Sequence, residues 1–149
     1  MRVSVLIRAG SMDVKPASYT LDAVESPRNC CYFLWTLGAR RALTFLEQQP
    51  QVDAERLGIY GHSMGAKITV LTAGIDKRVK AAAPSCGGIS NRTDSELYQK
   101  TIADARYLDQ LSCPIIFLSP SNDFHGQLID VPRAVGLIDQ SMRGSRAVP

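Results

Sequence analysis

No run of apolar residues in this chain approaches the roughly 18 needed to cross a bilayer as a helix, so a membrane is not an expected partner. Charge of one sign is also lacking. Seventeen basic against 14 acidic residues leave a net charge of +3, too small and too scattered for the footprint of a nucleic-acid binder. The four cysteines, Cys30, Cys31, Cys86 and Cys113, show no CxxC spacing and lie near no histidine in a zinc-type arrangement, so a metal site is not expected. Adjacent Cys30 and Cys31 point in different directions on any regular element, which argues against a disulfide framework. Near the N-terminus Arg8 interrupts the apolar stretch before a signal-peptide core forms, and a reducing, cytoplasmic location is the expectation unless a signal-bearing N-terminus is missing. Phosphate-binding glycine loops are missing, so no cofactor is expected. Histidine is scarce, with only His62 and His125.

What is present is the composition of a globular chain. The 149 residues are 45% hydrophobic and 21% charged, proportions and length that suit one domain. Val3–Ile7 is a β-rich run followed by Gly10, and the stretch from Ser11 to Asn29, with Pro16 and Pro27, reads as a long irregular connection. From Cys31 to Gln49 the pattern turns helical, with Phe33, Leu34, Leu37, Ala42, Phe45 and Leu46 as the apolar face and Pro50 as the stop. Leu57–Tyr60 reads as a strand, Gly65–Ala73 as a helix, and Val79–Ala83 as a strand bounded by Pro84. A helix is predicted near Ser95–Tyr107, the clearest strand at Pro114–Leu118, a loop at Ser119–Gly126 and a last helix at Val131–Gln140. Alternating strands and helices predict an α/β fold, a mostly parallel sheet flanked by helices.

The chemistry concentrates in Gly61-His62-Ser63-Met64-Gly65. This G-x-S-x-G pentapeptide falls between a predicted strand and a predicted helix, the setting a nucleophile elbow requires. Gly61 and Gly65 are the small residues that let strand and helix approach. The turn lifts the Ser63 hydroxyl clear of the sheet and sets a helix N-terminus beneath the reacting carbon, where developing negative charge is favoured. The N–H of Met64 is then one oxyanion donor. A serine hydroxyl needs a base, and the base an orienting acid. Asp123 follows the strand Pro114–Leu118 at its C-terminal edge and fits the acid role. His62 is turned away by the elbow, so His125 is the candidate base left in this chain, although it shares one loop with its own orienting acid; a loop-structuring role is its alternative. Cys86-Gly87-Gly88 follows the strand beside the serine, with core packing the leading role for Cys86 and lining the site the other. Arg92 and Lys100 are candidates to meet an acidic substrate, with solvation at the surface as the default.

Several linked segments resemble the α/β-hydrolase superfamily, and within it the acetyl xylan esterase and dienelactone-hydrolase-like group. Residues 39–50 are similar to the helix ahead of the elbow, 52–65 to the approach to the nucleophile, 73–84 to the helix end and next strand, and 113–118 with Asp123 to the strand and acid loop. The resemblance runs from about Ser26 to Ile138. It implies a serine-dependent carboxylic-ester hydrolase acting through an acyl-enzyme on Ser63, with a small-molecule ester as substrate. It also implies strands ahead of the elbow helix, one of them bringing a second oxyanion N–H, and a histidine after one more strand beyond the acid. Their lack makes a chain incomplete at both ends the expectation, with a catalytically inactive remnant serving as a binding or interaction module as the alternative. An exposed sheet edge would then favour self-association.

Overall fold

The computed structural model describes residues 25–90, 95–123 and 128–146. The Val3–Ile7 run and most of the 11–29 connection lie outside them. The described chain opens with a 3-10 turn at Pro27–Asn29, capped where the Arg28 N–H donates to Ser26 Oγ at 3.3 Å. The regular elements are then α1 (Cys31–Glu47), β1 (Gly58–His62), α2 (Met64–Ile75), β2 (Ala81–Ser85), α3 (Glu96–Thr101), α4 (Asp104–Leu108) and α5 (Val131–Arg146). Most of the described residues are helical, and a small parallel sheet lies among them.

β1 and β2 pair in parallel, with Ile59 opposite Ala82 and His62 opposite Ser85. The predicted strand Pro114–Leu118 joins β2 only through two isolated bridges, Ala82 to Ile115 and Ser85 to Leu118. Proline explains this. Pro84 does not bound β2 as expected but lies inside it. The Ala82 N–H donates to Pro114 O, the Ile116 N–H to Ala82 O, the Leu118 N–H to Pro84 O and the Cys86 N–H to Leu118 O, each at 3.0 Å. The rung that should lie between them requires an N–H at Pro84, which proline does not have. One missing donor splits a ladder into two bridges.

α2 is buried from Ala66 to Gly74, the pattern of a helix enclosed on every side. It packs on both strands, on α1 and on α4. Leu43, Leu46, Leu57, Val70, Ala73, Val79 and Leu108 form the centre of the core. The buried face of α1 differs from the expected one: Thr36, Ala39, Leu43 and Leu46 are inside, while Leu37 and Phe45 are exposed. Polar contacts fix this rotation. Arg40 Nε donates to Asp76 Oδ2 at 3.1 Å, and the Arg78 guanidinium donates to Thr44 Oγ1 at 2.8 Å and to Arg40 O at 3.2 Å. The end of α2 thereby holds α1 by its 40/44 side, with the small residues Thr36 and Ala39 turned inward.

Asp76 is the hub of that contact, accepting from Arg78 Nε at 2.9 Å and Nη2 at 2.7 Å as well. The hydrogen bonds from Arg78 hold its carboxyl well below the usual carboxylate range against an opposing effect of burial, with Arg40 adding to the lowering. A depressed folded-state value means that this stabilisation is complete above the unfolded value near 4. It is lost as pH falls toward the folded value. Asp76→Asn is therefore expected to cost about 2 kcal/mol at pH 7, with the difference from the parent shrinking below pH 4; urea titrations at both pH values read this out.

Two helical expectations change. The predicted helix over 95–107 is broken into α3 and α4 at Ile102–Ala103, because the Ile102 carbonyl and the Asp104 carboxylate both turn to the buried Lys67 ammonium. The last helix extends to Arg146 rather than ending at Gln140. β1 has β2 as its only strand partner among the described residues. Tyr60, Ile116 and Leu118, which alternate with the inward positions of the sheet segments, are exposed.

Candidate active site

β1 ends at His62, α2 begins at Met64, and between them Ser63 takes φ 54° and ψ −115°. L-residues adopt such a conformation at a cost of roughly 1–3 kcal/mol. The surroundings hold it there. The Ser63 N–H donates to Ser85 O on β2 at 2.8 Å, and Ser63 O accepts from the N–H groups of Ala66 at 2.9 Å and Lys67 at 3.4 Å. The side chain makes no capping bond to the helix and the residue is exposed. Met64, in the first turn, has an N–H with no acceptor inside the helix, beside the positive end of the helix dipole.

Only one of the two flanking glycines is required by packing. A Cβ at Gly61 would lie 2.2 Å from Gly65 O and 2.7 Å from Thr69 Oγ1. At Gly65 a Cβ would meet nothing within 4 Å among the described residues, so the expectation that both glycines permit the close approach is corrected. It is the Gly61 hydrogen that faces the backbone of Gly65. His62 is engaged sideways, its Nδ1 3.2 Å from Ser85 Oγ.

Ser63 opens on a cavity of about 310 Å³. One wall is Cys86-Gly87-Gly88, three successive residues at φ 54°, 154° and 80°. This turn lies flush on α2: a Cβ on Gly88 would meet Val70 Cγ2 at 2.8 Å and Ala66 O at 3.0 Å. Cys86 is half-buried and lines the cavity, in place of the core packing expected for it. Asp123 is half-buried in a turn closed by its N–H to Pro120 O at 3.1 Å. Ser63 and Asp123 both follow C-terminal ends of parallel segments, the edge where open α/β sheets place their sites. His125 and Arg92 lie outside the described residues. Lys100 pairs with Glu96 on the exposed side of α3. No group of three or more His, Cys, Asp or Glu gathers among the described residues.

The cavity floor holds residues that sequence reasoning missed. Lys67, one helical turn beyond Ser63, donates to Asp104 Oδ1 and Ile102 O at 2.6 Å each and to Tyr98 Oη at 3.3 Å. Asp104, 1% exposed, accepts the Ser90 N–H on Oδ2 at 2.8 Å. The ammonium sits 5.3 Å from the Tyr32 ring centroid and 5.2 Å from that of Tyr98, within cation–π range. Burial pulls the Lys67 ammonium down, but Asp104 and Tyr98 outweigh it and the net shift is upward. A signal was available in the sequence: Lys67 is the only charged residue in Met64–Ile75, a segment otherwise apolar or small.

The model of the dienelactone hydrolase family matches residues 34–146. This chain belongs to that family. It is 40% identical over 45 residues to the thiohydrolase apmlB of Arthrinium phaeospermum, covering 30% of this chain and 15% of that protein. With the polyketide transferase af380 of Aspergillus fumigatus it shares 44% identity over 41 residues, 28% of this chain and 14% of that one. The family member described here thus matches only about a seventh of the length of these curated relatives. Its fold is similar to that of an acetyl xylan esterase from Paenibacillus sp. R4 (TM-score 0.54, 18% identity, 91% of this chain and 61% of that one). A glucuronoyl esterase from Solibacter usitatus aligns with TM-score 0.60 at 19% identity, over 85% of this chain and 40% of that one. These likenesses are of the fold alone.

The Lys67–Asp104 pair also carries a stability prediction. Lys67→Ala leaves a buried carboxylate without its cation and is expected to cost about 3 kcal/mol. Lys67→Met combined with Asp104→Leu removes both charges and should recover most of the loss, as read by chemical denaturation.

Proposed function

We propose that this chain carries the nucleophile of a serine-dependent carboxylic-ester hydrolase. The observation that supports this most directly is Ser63 itself: an exposed hydroxyl on a strained turn, at the N-terminus of α2 and at the mouth of a cavity. Esterases and a thiohydrolase among the matched proteins agree with the reading.

In this mechanism Ser63 Oγ attacks the ester carbonyl carbon while its proton passes to a histidine. The carbonyl oxygen becomes an oxyanion and takes a hydrogen bond from the Met64 N–H. The tetrahedral species collapses, the C–O bond to the alcohol breaks, and the histidine returns the proton to the departing oxygen. Water, deprotonated by the same base, then cleaves the acyl-enzyme to the free acid. Asp123 orients the base, and His125 is the base this chain itself can offer.

Intact-mass analysis after incubation with a fluorophosphonate tests the proposal. One rapid addition is expected, lost in Ser63→Ala. Labelling no faster than the Ser63→Ala background would overturn it. His125→Ala decides the base: loss of rapid labelling assigns it, and retention removes it from the mechanism.

A further inference from the structure

The floor of the cavity beside Ser63 carries information about the substrate. We propose that the arm of the ester entering this cavity is uncharged, and that Lys67 and Asp104 set this selectivity by neutralising each other. The inference rests on Ser63 being the nucleophile.

A lysine ammonium has three N–H donors. All three are engaged by protein acceptors: Asp104 Oδ1, Ile102 O and Tyr98 Oη. Lys67 is the only cation among the described residues that line the cavity. A carboxylate on the substrate would therefore find no donor on this lysine and no net positive charge in its ion pair with Asp104. An anion brought out of water without a partner is strongly disfavoured. A neutral group meets instead the Tyr32 and Tyr98 rings, Met64 and the backbone of Gly87 and Gly88.

Cys86 supplies a readout that does not require catalysis. It is the half-buried thiol on the cavity wall, whereas Cys30, Cys31 and Cys113 are buried. Alkylation by iodoacetamide, located by peptide mass, should occur first at Cys86 and slow when the cavity is filled. Hexanamide and 5-carboxypentanamide form a matched pair that differs by one terminal carboxylate. Hexanamide is expected to protect Cys86 at concentrations at least tenfold below those needed of the carboxylated compound. In Asp104→Asn, which releases Lys67 from its counter-charge, the concentration of 5-carboxypentanamide needed should fall at least tenfold.

Equal or better protection by the carboxylated amide in the native chain overturns the inference, as does protection by neither. The comparison in the native chain stands even if Asp104→Asn does not fold. Fluorophosphonate labelling of Ser63 separates the two proposals. Labelling without discrimination between the amides sinks the selectivity alone. Discrimination without labelling sinks the nucleophile and leaves a cavity selective for neutral ligands.

Discussion

Gly61→Ala is expected to destabilise the protein by about 4 kcal/mol or more, enough to leave little folded chain. The new methyl carbon would sit 2.2 Å from Gly65 O and 2.4 Å from Gly65 C, and both are backbone atoms in the first turn of α2. A flexible side chain can swing away from such a contact. Here relief requires that α2 move off the sheet, and α2 is the most enclosed element of the structure, with Ala66 through Gly74 buried. Close-packed interiors transmit such a shift rather than absorb it. Gly65→Ala is the control. Its Cβ would meet nothing within 4 Å among the described residues, and alanine is the better helix former by up to about 1 kcal/mol. Soluble yield, circular dichroism and denaturant midpoints for the two variants check the contrast. Equal stability of Gly61→Ala and the parent would mean that strand and helix are further apart than described.

The second large effect is on rate. On the mechanism proposed above, Ser63→Ala should lower kcat/KM for a reactive ester by about four to six orders of magnitude, as expected when the nucleophile of a serine mechanism is removed. The oxyanion donor and the cavity would sustain only the residue of activity. Stability is expected to move the other way in Ser63→Gly. At φ 54° and ψ −115° a Cβ is the source of the strain, and its removal should stabilise the chain by about 1 kcal/mol. A serine retained where glycine folds better is what a functional constraint produces. Steady-state kinetics on an activated ester together with urea unfolding separates the two effects. Undiminished hydrolysis by Ser63→Ala would remove this serine from the mechanism.

Much of this architecture was legible in the sequence, for local reasons. The span of α1 follows from its periodicity and from Pro50, and β1, α2 and β2 appear within a few residues of their predicted places. The turn at Ser63 was legible because the flanking strand and helix are both short-range features. Failures occurred where a distant partner decided. The rotation of α1 depends on Arg40 meeting Asp76, 36 positions away. The break between α3 and α4 depends on Lys67 reaching Ile102 O and Asp104 from the facing helix. Pro84 was read as a boundary because proline usually ends a strand; inside β2 it instead removes a rung toward residues 114–118.

The sequence by itself determined the order of the elements, the place of the strand–serine–helix turn and the family to which the chain belongs, because each rests on contiguous residues. Only the tertiary structure decided which glycine the turn cannot lose. It alone brought Cys86, Lys67, Asp104 and two tyrosines to one cavity with Ser63. Periodicity reports which face of an element is apolar. It carries no record of which buried charge on that face will meet its counterpart, since that pairing forms only when helices remote in sequence close on each other and the cost of burial must be offset.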